Sequence, residues 1–144
     1  MTPLASDRFT IQSGHRISVQ IPESDVSAMI TAITAIDPLD YGDYDSVTFA
    51  SRPGTQTFRS LGTGRNTPTD GVAAVASVEL TFFTPADPAR IVEAIYQAHA
   101  YEEPVIFVTP TTRTLHIRGL DEDNPNRFWN RTAQDWLPEE HRGN

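Results

Sequence analysis

The sequence predicts an α+β domain of the ferredoxin-like, split-βαβ class, with an extra hairpin strand and a C-terminal helical tail. Three observations carry that prediction. Apolar residues alternate with period two at Ile17–Ile21 and at Val78–Phe82. They recur at helical spacing after Ser24 and after Asp87. These stretches follow one another in the order β-α-β-β-β-α-β, and removing one hairpin strand leaves β-α-β-β-α-β.

Residues 1–13 hold few apolar anchors and read as a flexible arm. Ile17, Val19 and Ile21 alternate with Ser18 and Gln20 as in a half-buried strand, which Pro22 closes. Ser24 is a candidate N-cap for a helix carrying Val26, Met29, Ile30, Ile33 and Ile36. Asp37-Pro38 stops it, because a residue before proline is pushed out of the α region. Tyr44–Ser51 and Thr55–Leu61 are rich in β-formers, and Arg52-Pro53-Gly54 between them has the composition of a turn, so a hairpin is expected. Three glycines and a proline make Gly62–Gly71 a loop.

Val75–Thr84 is the next strand, with Val78, Leu80 and Phe82 on one face and Glu79, Thr81 and Phe83 on the other. Asp87-Pro88 then opens a second helix, aspartate as N-cap and proline at the first helical position. Ile91, Ala94, Ile95 and Ala98 form its inner face. Pro104 stops it, and Val105–Val108 is apolar throughout, as a strand covered on both sides would be. The domain is thus expected over residues 14–110, followed by an extension over 111–144. There Asn126 is a candidate N-cap, and Trp129, Ala133, Trp136 and Leu137 form one stripe of a short helix.

Both main helices fall on one face of the sheet. Ile106, Val108 and Phe83 are expected on the other, and covering even ~300 Å² of apolar surface is worth about 7 kcal/mol before association costs. A companion for that face, another subunit or the tail, is therefore expected.

Composition narrows the partners. The net charge of −8 disfavours nucleic acid and anionic membranes. Every basic residue other than histidine is arginine, and there is no cysteine, so disulfides and thiolate metal sites are excluded. No signal-peptide pattern opens the sequence and no apolar run reaches the ~20 residues of a membrane span, so a cytoplasmic location is expected. The sequon Asn130-Arg131-Thr132 then has no use.

Gly42, Tyr44, Phe49, Gly54, Phe58-Arg59, Gly64, Asn66, Pro68, Gly71 and Glu79, with Ala98-His99-Ala100-Tyr101-Glu102-Glu103-Pro104, resemble the signature of one family. It is the CutA-like (PII-like) insert domain of the Nif-three-like, NGG-interacting-factor-related proteins. The resemblance covers roughly residues 14–110. Ala100 stands where the family usually has proline, and Gln56 where it tends to have glycine. It implies a ferredoxin-like domain that tends to form trimers, related in architecture to small-molecule and metal-ion sensors. Full-length relatives surround this domain with a dinuclear-metal core of histidines and carboxylates. A chain of 144 residues has no room for that core and shows no paired-histidine motif, so the hydrolytic activity sometimes assigned to the family is not carried over.

Two segments hold the candidate site residues. His99, Tyr101, Glu102 and Glu103 form the densest polar cluster; were the helix to run on to Glu103, His99, Glu102 and Glu103 would share one face at i, i+3 and i+4 and form part of a divalent-metal site. The bland alternative is that His99 finishes the helix while the glutamates bond backbone amides or an arginine. Arg59, Arg65 and Asn66 flank the glycines of Gly62–Pro68, a loop that lacks the ending of a P-loop but could hold a small anion. Its bland reading is a plain connector.

His15, His116 and His141 each stand alone, Asp121–Asp123 falls short of a calcium loop because Pro125 takes a ligand position, and no nucleophile elbow or acid–base pair is found. The leading expectation is a non-catalytic ligand-binding or regulatory homotrimer taking a small anionic ligand or a metal ion. The alternatives are a metal-dependent enzyme with an inter-subunit His/Glu site, and an adaptor acting through its tryptophan-bearing tail.

Overall fold

Three aliphatic side chains of β1 (Phe9–Ile21), Ile17, Val19 and Ile21, are fully buried, as their alternation requires. The computed structural model describes residues 3–132 and 138–141. These divide into two units, Ile11–Leu115 and the terminal segments Met1–Thr10 with His116–Asn144. The first contains α1 (Val26–Thr34), β2 (Phe49–Ala50), β3 (Gly54–Phe58), β4 (Ala73–Thr84), α2 (Pro88–Ala98) and all but the last residue of β5 (Ile106–His116). The sheet order is β2-β4-β1-β5, with β3 also on β4. This is the antiparallel split-βαβ arrangement.

Met29 and Ile33 of α1 and Ile91 and Ile95 of α2 pack with Ile17, Val19, Ile21, Leu39, Leu80 and Phe82 into one core. Fully burying such side chains is worth about 1.5–3 kcal/mol each. Ser24 does not cap α1. Pro22 leads instead into a 3-10 turn, Glu23–Asp25, that runs straight into the helix. The helix is over by Thr34, short of Ile36, which is exposed. Buried Asp37 then accepts from the Leu39 N–H at 2.9 Å and the Thr84 hydroxyl at 2.5 Å, tying the exit of α1 to the end of β4. At α2 the expected cap is present: the Asp87 carboxylate accepts from Ala89 N–H at 3.0 Å, with proline at the first position.

The hairpin is corrected. β2 and β3 pair with β4, not with each other: Phe49 faces Thr81, Ala50 faces Leu80 and Gly54 faces Ser77. Ser51, Arg52 and Pro53 therefore oppose only Val78 and Glu79, the count of a β-bulge. The physical reason is local. Pro53 has no N–H to donate, and an edge bulge asks for none, while Ser51 donates its N–H to Glu79 O (3.0 Å) and accepts Glu79 N–H on its hydroxyl (2.9 Å). The turn-like composition marks a break within one edge strand.

β1 and β5 are longer than the apolar pattern indicates, β1 taking in Phe9–Ser13 and β5 reaching His116. Polar pairs hold these extensions, among them Arg113, whose Nε and Nη2 both donate to Gln12 Oε1 at 2.9 and 2.7 Å.

The open face of the sheet is also corrected. Ile106 packs on the core side, and Phe107 points the other way. β5 is an edge strand with one covered face, so Phe107 on its open side is 59% exposed; Val108, which by alternation shares the side of Ile106, is exposed as well. In the middle of the open face lie Ser18, Gln20, Glu79 and Thr81, set there by the register that puts Val19 opposite Leu80. Ser18 donates to Glu79 Oε1 at 2.7 Å, and Gln56 Nε2 to Gln20 Oε1 at 3.0 Å. That centre is polar. Its apolar content lies toward the margins: in Phe83, which falls on this face as expected and is half-buried, in Phe107, and in Phe49, which faces Thr81 and is 70% exposed.

In the terminal unit, Ile117 N–H bonds Arg8 O at 2.9 Å, and buried Asp121 pairs with both Arg8 and Arg127. Just after Asn126 comes a 3-10 turn, Phe128–Asn130, ended by Arg131 in extended conformation, and another, Glu139–His141, lies further on among the described residues. A helix from Asn126 would break at Arg131. Ala133, Trp136 and Leu137 lie outside the described residues.

Candidate functional site

The chain leaves α2 at Ala98, and His99 is already extended (φ −79°, ψ 140°). Pro104 biases Glu103 away from helix, and the His99 ring is drawn to β1. Its Nε2 lies 2.7 Å from Gln20 O, and its Nδ1 accepts the Tyr101 N–H at 3.0 Å. A carbonyl can only accept and an amide can only donate, so the ring is the neutral tautomer with its proton on Nε2. The tyrosine ring lies beside it, centroids 4.9 Å apart. Gln20 N–H also donates to Val105 O at 3.1 Å, so both backbone groups of one β1 residue bracket the whole His99–Val105 turn.

The shared helical face of His99, Glu102 and Glu103 is therefore not formed. The lone pair on Nδ1 is committed to Tyr101 and the Nε2 proton to Gln20, which leaves neither nitrogen for a metal. Within one chain, no group of three histidine or carboxylate side chains among the described residues could hold a metal ion. The donor set does not fit a divalent cation in this conformation.

What the structure does bring together is the turn and the glycine loop. Arg65 N–H donates to both oxygens of Glu102, at 3.0 and 3.3 Å. Gly64 permits it, because a Cβ there would overlap Glu102 Oε1. The base of the loop is closed separately: Ser60 N–H donates to Thr69 Oγ1 (3.1 Å), and Thr69 N–H to Ser60 O (3.2 Å). Ser60 Oγ adds a bond to Asn66 O at 3.2 Å. Arg59, Arg65, Asn66, Glu102 and Glu103 are all exposed, while His99 and Tyr101 are half-buried.

Beside Gln20 the bulge opens a hollow of about 200 Å³ lined by Gln20, Ser51, Arg52, Gln56, Ser77 and Glu79. Gln20, Ser18 and Ser51 are not among the candidate residues that spacing picks out. Their signal is only the polar half of a strand alternation, which looks the same for a solvated face and for a hydrogen-bonded one.

Sequence spacing misses a second polar feature as well. The Arg113 guanidinium, on a residue only 9% exposed, lies 4.2 Å from the centroid of Phe83 and 4.6 Å from that of Tyr41, and donates to Asp40 O at 2.9 Å. Phe83 can reach it because Gly14 has no side chain where the ring passes.

Solved structures that share this fold include a NIF3-related protein and several CutA proteins. A Bacillus cereus protein related to NIF3 matches with a TM-score of 0.61 and 23% identity, over 76% of this chain and 28% of that one. The fold is CutA-like. CutA from Archaeoglobus fulgidus, described as a periplasmic divalent cation tolerance protein, matches with a TM-score of 0.52 and 15% identity over 75% of this chain and 88% of its own. CutA1 from Oryza sativa matches at 0.52 and 13%, over 69% and 81%. The chain thus spans about a quarter of the NIF3-related protein and most of the CutA proteins. No family model and no curated protein sequence matches. At these identities the likeness is one of fold. Among the described residues, no helix is long and apolar enough to cross a membrane.

Proposed function

We propose that this chain is a non-catalytic ligand-binding or regulatory module of the CutA-like insert type that works as a homotrimer. Its ligand place is formed by the Gly62–Pro68 loop and the His99–Glu103 turn. The observation that carries the reading is their junction: residues 37 positions apart, Arg65 and Glu102, meet through a backbone amide and a carboxylate. The same geometry speaks against catalysis, since the His99 ring is fully committed to holding the turn. Assembly uses the open face of the sheet, where Phe49 and Phe107 supply apolar contact around hydrogen-bonding groups, the mixture found at subunit interfaces.

Sedimentation at micromolar concentration is expected to give a particle of three times the 16.0 kDa chain. Phe107→Asp is expected to leave a folded monomer. A wild-type monomer overturns the assembly.

A further inference from the structure

The glycine loop already holds an oxyanion, and that oxyanion is the chain's own. From Arg59 to Thr69 the sequence carries two arginines and no acidic residue, in a chain whose net charge is −8. The carboxylate that the loop receives comes from Glu102, beyond α2. Both its oxygens lie on Arg65 N–H, and Gly64 offers bare backbone at the point of closest approach. The backbone that presents Glu102 is held on Gln20 through His99 and Val105, whereas the Glu102 side chain itself is exposed and free to swing out. A carboxylate in such a position exchanges one amide bond for water at little cost, because exposed charged contacts are weak. The place it vacates has a free N–H and room beside a glycine, in a stretch whose only charged residues are arginines.

We infer that the Gly62–Asn66 loop binds a phosphate or carboxylate group of a small molecule, and that Glu102 is its internal competitor, occupying the place until the ligand displaces it. This rests on the reading of the loop and turn as the ligand place. The apparent affinity of such a ligand is lowered by the fraction of molecules in which Glu102 is seated; if that is about nine in ten, removing Glu102 tightens binding about tenfold.

The test uses the full-length protein, titrated with inorganic phosphate and separately with acetate, following the amide resonances of Gly62–Asn66. Glu102→Ala is expected to bind about tenfold more tightly than wild type, and Glu102→Gln, which keeps an acceptor without the charge, to fall between. Glu103→Gln removes the same charge one residue away and is expected to bind like wild type. Phosphate-only and acetate-only binding each support the inference and identify the ligand's anionic group. Equal affinity in wild type and Glu102→Ala, equal gains from the Glu102 and Glu103 variants, or no binding in any of them overturns it. A monomer in sedimentation would overturn the assembly and leave this competition standing; equal phosphate affinities would do the reverse.

Discussion

The two faces of this sheet are made by the same strands and differ in almost every physical respect. On the helix side of β1, Ile17, Val19 and Ile21 are fully buried and meet Phe82, Leu80 and Val78 across the ladder. One residue along, Ser18 and Gln20 face Thr81 and Glu79 and spend their polar groups on hydrogen bonds to Glu79 and Gln56. The first face stabilises the domain by excluding water, and little about it can change without loss. The second is ordered by directional bonds between half-exposed groups, and it adjoins both the bulge and the turn that carries His99. In this fold, a water-excluding face and a hydrogen-bonded one are separated by a single step along a strand.

The sharpest way to break the comparison is to cut equally into both faces. Ile17→Ala is expected to destabilise by about 2–5 kcal/mol in denaturant unfolding, the usual range for truncating a buried isoleucine. If it costs less than about 1 kcal/mol, well under that range, the covered face is not the source of stability. Arg113→Ala tests a place where a buried side chain lies among polar groups and aromatic rings. Losing its bonds to Gln12 and Asp40 and its stacking on Phe83 and Tyr41 is expected to cost about 2 kcal/mol, with Arg113→Lys recovering only part, since lysine lacks the planar fork.

Ser18→Ala on the open face is expected to cost no more than about 1 kcal/mol, the net worth of an ordinary hydrogen bond. The smallest effect belongs to the terminal unit. The hydrogen bond from Arg8 holds the Asp121 carboxyl below its ordinary pKa against the upward push of burial, with Asn124 and the charges of Arg127 and Arg8 adding to the lowering. A lowered folded-state value means this contribution is complete above the unfolded pKa, near 3.8, and is lost as pH falls through the folded one. Amide exchange at Ile117 is therefore expected to accelerate only below about pH 4, and Asp121→Asn is expected to remove that acid-dependent step.

Much of this architecture is legible in the residues alone. The core residues of β1, β4 and α2 and the Asp87-Pro88 start all follow from spacing, because burial and capping act on residues close in sequence. The hairpin does not, because proline and glycine punctuate a bulge and a turn alike, and only the register against β4 tells them apart. The helical face expected of His99, Glu102 and Glu103 fails for a related reason: what ends α2 there is a bond from the His99 ring to Gln20, 79 positions away.

By itself, then, the sequence determined the layers: which stretches are strands, which are helices, and which side chains are driven from water, since the hydrophobic effect reads composition and period alone. Only the tertiary structure decided which polar groups meet. Hydrogen bonds are satisfied by whatever partner the fold brings within about 3 Å. For His99 that partner lies on β1, and for Glu102 it is the amide behind Gly64 in a distant loop.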